Sequence, residues 1–302
     1  MIEEADERES MLIGNMAAPE WGVNTKDGQY PVFKKQAGLL LKNAANIRRP
    51  TGTYPEIKRQ YENDNFSCVD RGLEEAVDDS EKSDVMRFFD AEMVAARQVK
   101  YNVMIGHEVR VGALFFTEGI WGTDQDASAN WDVKATDIPL DFMTAFNSLN
   151  TVGEIPNTVI VGQDVFTQMS TNTEMQNFIR GNRPTDSRLD ITAQMVAEAF
   201  AGHGIRQVLI GRASFDSADE GLTPVLTPAW PVDFAWVGRI GTGQPLGGGA
   251  ARTFVWNQEG GLFVTESYRE EKRRSEIVRV RQNTAEKVLD VNAGVLIDTR
   301  VA

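Results

Sequence analysis

The side chains that could do chemistry in this chain are few. It has two histidines, His107 and His203, and one cysteine, Cys68. A catalytic or metal-bound imidazole needs partners at defined spacing, and neither histidine stands in a His-Glu-x-x-His or comparable pattern. Both read as structural or surface residues. Cys68 has no histidine near it in sequence and reads as a small apolar residue, not a nucleophile. No Gly-x-Ser-x-Gly elbow is present. Asp124 and Asp126, in TDQDAS, offer carboxylates to a weak calcium site, but the glutamate that closes an EF-hand loop is missing. The glycine run from Gly241 to Gly249, GTGQPLGGG, lacks the Lys-Ser/Thr of a phosphate-binding loop and does not join a buried strand to a clear helix. It reads as a flexible loop. The basic pair Arg48 and Arg49 and the cluster from Lys272 to Arg274 are too short for a DNA footprint and suit acidic patches on a neighbour. The sequence therefore nominates no catalytic residue, no metal ligand and no cofactor, and the expectation is a protein that is not an enzyme.

Composition narrows the classes further. In 302 residues, Asp and Glu outnumber Lys and Arg 44 to 31, for a net charge of −13. A nucleic-acid reader needs a basic patch, so sequence-specific DNA binding is disfavoured, whereas life beside DNA without adhesion to it is not. A hydrophobic share of 41% is enough to bury a core. One cysteine excludes an intrachain disulfide. The acidic start MIEEADERES is unlike a signal peptide and no membrane-length apolar run follows, so a soluble protein of a reducing cytoplasm with no membrane partner is expected.

The elements that would position these residues are organised around 83–116. Val85, Phe88, Phe89, Met93, Ala96, Val99 and Val103 recur at helical spacing, and Asp78 with Glu81 fits a capping box before them. Gly106 and Gly112 weaken the last turns. Residues 1–26 are charged and then irregular, a tail or an arm in which Met11, Leu12 and Ile13 can anchor on a neighbour. Residues 27–82 hold strand-like pieces at 30–34 and 57–69 around a turn-rich tip at 48–55. Neither face of the second piece is solidly apolar, and a lone two-stranded ribbon is marginal in water, so this hairpin needs a surface on its own chain or on a neighbouring subunit. An alternating α/β pattern follows: a helix at 139–149 with Leu140, Met143, Phe146 and Leu149 on one side, buried strands at 156–162 and 206–210, and helices at 164–170, 173–179 and from an Asp190 cap to Phe200. Residues 212–249 are loop-rich. Strands at 253–256, 262–266, 277–280 and 293–297 form a mostly antiparallel closing sheet. The class is α+β, with a discontinuous domain interrupted by an insert.

That order of parts, with PNTVIVGQDVFTQM, RQVLIGRASFD, RTFVWNQEGGLFVTESYREE and KVLDVNAGVLIDTRV in sequence, resembles the major capsid proteins of tailed double-stranded DNA phages, the Hong Kong ninety-seven fold. The resemblance implies an N-terminal arm (1–26), an extended β-hairpin loop (27–82), a peripheral domain with the long spine helix (83–135), an axial α/β domain (136–249) and closing strands of the peripheral β-sheet domain (250–302). It implies a virion protein that self-assembles in the host cytoplasm into hexamers and pentamers of an icosahedral head around DNA. Possible partners are a separate scaffolding protein, or none, a portal and decoration proteins. The extended loop would rest on the adjacent subunit, so that Tyr30, Phe33, Ile57 and Tyr61 become buried only on assembly, and Arg48 and Arg49 join them as contacts between subunits. An encapsulin-type compartment shell shares the fold. Readings from other classes are a tail or portal ring component and an α/β enzyme with a ligand at the carboxyl ends of strands 157–161 and 206–210.

Overall fold

The computed structural model describes residues 8–33, 48, 50–54, 61–80, 91–181, 190–219, 221–241, 243, 248–257 and 260–300. The element predicted to be central is present. Helix α2, Ala91–Phe115, runs 25 residues, about 37 Å at 1.5 Å per residue. Its first predicted turns, with Val85, Phe88 and Phe89, lie outside the described residues. Ala95, Val99 and Val103 are its buried stripe. They pack on Val77, Val278 and Val280 of a sheet, the spacing of a helix with one apolar face.

That sheet has five strands. β1 (Glu20–Val23), β11 (Ala251–Trp256), β13 (Ser275–Val288) and β12 (Val264–Glu270) lie in that order, and β4 (Val69–Asp78) also pairs with β13. β13 is its axis. Residues 275–281 pair with β12 and 275–284 with β4, and 284–288 pair with β11. A second five-stranded sheet runs β5 (Thr123–Asp126), β14 (Gly294–Asp298), β10 (Phe234–Gly238), β6 (Thr158–Gly162) and β7 (Gln207–Gly211). Every residue of β6 is buried, as an apolar strand covered on both faces must be. Helices α3 (Ile138–Thr151), α4 (Gln163–Thr171), α5 (Thr173–Arg180) and α6 (Ala193–Ala199) bury one face of this sheet. The other face meets the end of α2. Two ribbons complete the fold, β2 (Asp27–Phe33) with β3 (Tyr61–Ser67), and β8 (Ser214–Asp216) with β9 (Leu226–Pro228).

Several expectations are corrected. Residues 8–26 are not a loose tail. Ile13, Ala17 and Ala18 are buried around helix α1 (Gly14–Ala17), and β1 is a parallel edge strand beside β11. Asp78 ends β4, and its carboxylate accepts from the amide and hydroxyl of Ser80 at the start of the helical residues 79–80, as an N-cap does, while Glu81, its expected capping-box partner, lies outside the described residues. In α3, Leu140 is exposed while Phe142 and Ala145 are buried, which rotates the apolar face from the expected one. The cap of α6 is Thr192, whose hydroxyl accepts from the Met195 amide, not Asp190. The loop-rich stretch 212–249 contains β10, a fully paired strand between β6 and β14. The last strand, β14, leaves the closing sheet and pairs antiparallel with β10 and parallel with β5. Its alternate residues Val295 and Ile297 enter one core and Leu296 the other.

Gly112 does not end the spine. It lets the helix approach the chain before β10, because a Cβ there would overlap the Ala229 carbonyl oxygen. The helix instead stops at Phe115, whose carbonyl accepts from the Trp121 indole at 2.8 Å. Gly112→Ala is therefore expected to destabilise the subunit despite its better helix propensity, by about 1–2 kcal/mol net, read as a lower denaturant midpoint at unchanged slope.

Candidate functional site

Polar chemistry concentrates where α2 crosses between the two sheets. Glu108 is 1% exposed. Its Oε1 accepts from the Ile13 amide at 2.8 Å and from the Trp230 indole at 2.7 Å, and its Oε2 from the Gly14 amide at 2.6 Å. Burial pushes the carboxyl up, and these three N–H donors pull it back, leaving it raised. Every partner is a donor, so the arrangement fits the carboxylate. Gly14 is required here, since a Cβ at that position would stand 2.6 Å from Glu108 Oε2.

One residue earlier on the spine, about 100° round the helix, His107 lies against the same arm residue, Gly14, and reaches β11. His107 Nε2 lies 3.2 Å from Thr253 Oγ1, and that hydroxyl donates to the Ala18 carbonyl at 2.9 Å. The hydroxyl proton is thus committed, so the imidazole carries its proton on Nε2 and donates to Thr253. Glu286 accepts from Arg110 Nε at 3.2 Å and from the Thr284 hydroxyl at 3.0 Å. Burial drives His107 down to about 4, although Glu286 pulls it up. Burial pushes Glu286 up, but Arg110 and His107 together hold it below the usual carboxylate range.

The base of the β2–β3 ribbon is a second cluster. Tyr30, Phe66 and Trp21 surround Phe254, with ring centroids 5.0, 4.7 and 5.1 Å away. The Tyr30 hydroxyl donates to Asp64 Oδ2 at 2.7 Å and lies 3.1 Å from the Val288 carbonyl. Burial, then Asp64, raises the Tyr30 phenol, while its hydrogen bond lowers Asp64. Cys68 is buried beside this cluster with its thiol pushed up to about 11 by burial, which keeps it unreactive at neutral pH.

The residues nominated as contacts between subunits fare differently. Tyr30 is 2% exposed against its own chain, so its burial does not wait for assembly. Phe254 and the β13 backbone supply the surface that the ribbon base needs. Phe33 and Tyr61 are paired in register at the outer end of the described ribbon. Arg48 donates to the Gly52 carbonyl and lies over the Tyr54 ring at 5.1 Å, exposed. Arg49 and Ile57 lie outside the described residues. Among the other chemical candidates, His203 stacks on Phe146. Asp124 accepts from the Gly119 amide and Asp126 pairs with Arg300, which engages both carboxylates of the calcium candidate. No group of three metal-ligating side chains occurs among the described residues, and no described helix is long and apolar enough to cross a membrane.

The ends of the parallel pair β6–β7 bear on the enzyme reading. Gly162 and Gly211 close their carboxyl ends against Trp230 and Pro231, where an α/β ligand would sit. A cleft of about 550 Å³ opens at the opposite ends, lined by Pro156, Asn157, Arg206 and Arg239. Sequence reasoning missed Glu108 and Trp230. The available signal was weak, a lone glutamate within the apolar run VMIGHEVRVGALFF.

Two outcomes test this junction. Glu108→Gln turns one acceptor oxygen into a donor facing N–H groups, and is expected to cost about 2 kcal/mol in chemical denaturation and to speed proteolysis within the first 18 residues. For His107, the folded value lies below the ordinary 6.5. Its contribution is complete above pH 6.5 and is lost as pH falls towards about 4, by about 3 kcal/mol over the whole window. Glu286 acts in the same sense, and Glu108, raised, in the opposite one. His107→Gln should therefore reduce the difference in unfolding free energy between pH 6.5 and pH 4.5 (values set by the shift to about 4).

No family model matches the chain, and no curated protein matches its sequence. Solved structures do match. A phage-related protein from Bordetella bronchiseptica RB50 superposes at TM-score 0.71 with 17% identity, covering 98% of this chain and 95% of that one. The capsid of the cyanophage P-SCSP1u gives 0.60 at 12% identity, over 93% and 86%. A virus-like particle from Pyrococcus furiosus gives 0.58 at 11%, over 98% and 95%. These likenesses each cover more than nine-tenths of this chain, and so this chain has the α+β fold of tailed-phage major capsid proteins, the Hong Kong ninety-seven fold.

Proposed function

We propose that this chain is the coat subunit of a closed icosahedral shell, the head of a tailed double-stranded DNA phage, built from hexamers and pentamers of itself. The observation that carries the reading is likeness to a phage capsid over 93% of a chain whose β2–β3 ribbon is rooted in its own core. A shell subunit needs large contacts, about 2,000–5,000 Å² for an obligate interface. A ribbon reaching across a neighbour supplies such area, with Phe33, Tyr61, Arg48, Arg49 and Ile57 as its contact residues. The α/β sheet would serve as the axial domain, with 212–235 and 241–249 near the local symmetry axis. The role is structural and not enzymatic. It is supported by the closure of the β6–β7 carboxyl ends with Trp230 and Pro231. The net charge of −13 suits an inner wall beside which packaged DNA slides without sequence-specific contact. The protein would then reside in the virion after assembly in the host cytoplasm, with scaffolding, portal and decoration proteins as possible partners.

A second reading is a shell of the same construction around contents other than a genome, favoured by the likeness to the virus-like particle from Pyrococcus furiosus. Electron microscopy of the chain expressed alone and with its genomic neighbours tests both. Closed shells tens of nanometres across are expected, and their contents, DNA or protein, separate the two readings. Subunits that stay monomeric or form only small rings under all these conditions would contradict the shell.

A further inference from the structure

The β8–β9 ribbon ends in an exposed apolar tip. Leu226 is 76% exposed and Leu222 66%, with exposed Val225 on the same turn. The tip holds its shape through its own bonds. Asp216 Oδ1 accepts from the Ala218 amide at 3.0 Å and the Val225 amide at 2.8 Å, and the Val225 carbonyl accepts from the Ser217 amide at 2.9 Å. At the root, Phe215 packs on the core that includes the end of α2. A tip already fixed in shape loses little entropy when a partner covers it. Residues 214–228 carry three acids and no base. The cleft at the amino ends of β6 and β7 has the opposite character. Arg206 is exposed on it, and Arg239 lines it beside the buried Glu154, at 3.7 Å. Ile155, 66% exposed, lines it as well, with Ala201 and the buried Ile205. The adjoining groove along α6 holds one acid, Glu198, whose carboxylate accepts from Gln194.

We propose that the β8–β9 tip of one copy docks into the Arg206–Arg239 cleft of the next copy of this chain. The inference rests on the shell reading and names one contact within its rings. β8 leaves from the carboxyl end of β7 and the cleft opens at its amino end, so tip and cleft lie at opposite ends of a five-residue strand, about 17 Å long. A projection at one end and a receptor at the other make a head-to-tail contact, the kind that closes rings of identical subunits. Across it Asp219 faces Arg206, and Leu222, Val225 and Leu226 cover Ile155 and Ala201. Complementary charge selects this pairing: two tips brought together would set acid against acid.

Two cysteine variants test the contact, Leu226→Cys and Ile155→Cys, since the native Cys68 is buried and its thiol unreactive. Shells co-assembled from both variants and treated with a short bismaleimide are expected to yield covalent dimers on denaturing gels, and shells of either variant alone only monomers. Dimers from Leu226→Cys alone would show tip meeting tip, and mixed shells without dimers would show tip and cleft apart; either result overturns the proposal. Arg206→Glu, a surface change, should melt near the wild type while its yield of shells falls about tenfold, and adding Asp219→Arg should restore the yield. Wild-type yield from Arg206→Glu, or no rescue by Asp219→Arg, would contradict the pairing. If the wild-type chain forms no shells at all, the shell reading fails separately. The same cross-linking of the two variants mixed as concentrated soluble protein then decides: dimers confined to the mixture support the head-to-tail contact, and their absence overturns it.

Discussion

A carboxylate taken out of water must be given hydrogen-bond donors, and Glu108 finds them on two distant parts of the chain. Ile13 and Gly14 come from the amino-terminal segment, and Trp230 from the approach to β10. The spine supplies the charge and the other two segments are drawn to it. Around this point sit the apolar contacts that make the arrangement cohesive: Phe115 and Phe116 against Trp230, and Phe115 against Trp121 and Trp236. Because Trp230 and Pro231 also close the ends of β6 and β7, the same junction sets the position of the α/β sheet relative to the spine. Beside Glu108 on the same helix, His107 and Arg110 hold β11 and β13 through Thr253 and Glu286. Arm, spine and both sheets are thereby tied within one helical turn or so of each other.

The ribbon follows from that construction. Its base is stacked on Phe254, and Phe254 is on the strand whose next residue back, Thr253, is bonded to Ala18. A two-stranded ribbon cannot hold itself in water. The base of this one is held on the sheet by Tyr30 and Phe66 against Phe254. The outer face of the sheet is laced by cross-strand pairs, Glu74 with Arg279 and Glu266 with Arg281. Such exposed pairs add little stability each, but they keep the face polar and discourage unintended sheet-to-sheet stacking.

The spine was legible in the sequence because a long three-and-four apolar stripe has few competing readings, and β6 and β7 were legible as short continuous apolar runs. The errors have identifiable causes. Gly112 weakens the last turns on propensity alone, because sequence shows the missing side chain and not the carbonyl that presses on it. β13 looks short in sequence because its carboxyl half carries Gln282, Asn283 and Thr284, polar residues that are nonetheless buried. β10 hid in a loop-rich region as the five residues FAWVG. β14 was assigned to the nearest sheet in sequence, whereas its partners are set by tertiary contacts. Nothing near Tyr30 in sequence shows what buries it, because its partner Phe254 is more than two hundred residues away. Glu108 was invisible for the same reason, since a residue type reveals neither its burial nor who meets it.

The amino-terminal segment from residue 8 is part of the folded subunit through the spine carboxylate. Native-state hydrogen exchange of the Ile13 and Gly14 amides measures this most directly. Both donate to a buried acceptor, so both should exchange only with the slowest amides of β6 and β13, in the unfolding of the whole subunit. Exchange of these two amides orders of magnitude faster than that of β6 and β13, in a subunit that remains otherwise folded, would mean that the arm frays independently and that Glu108 does not bind the parts into one unit.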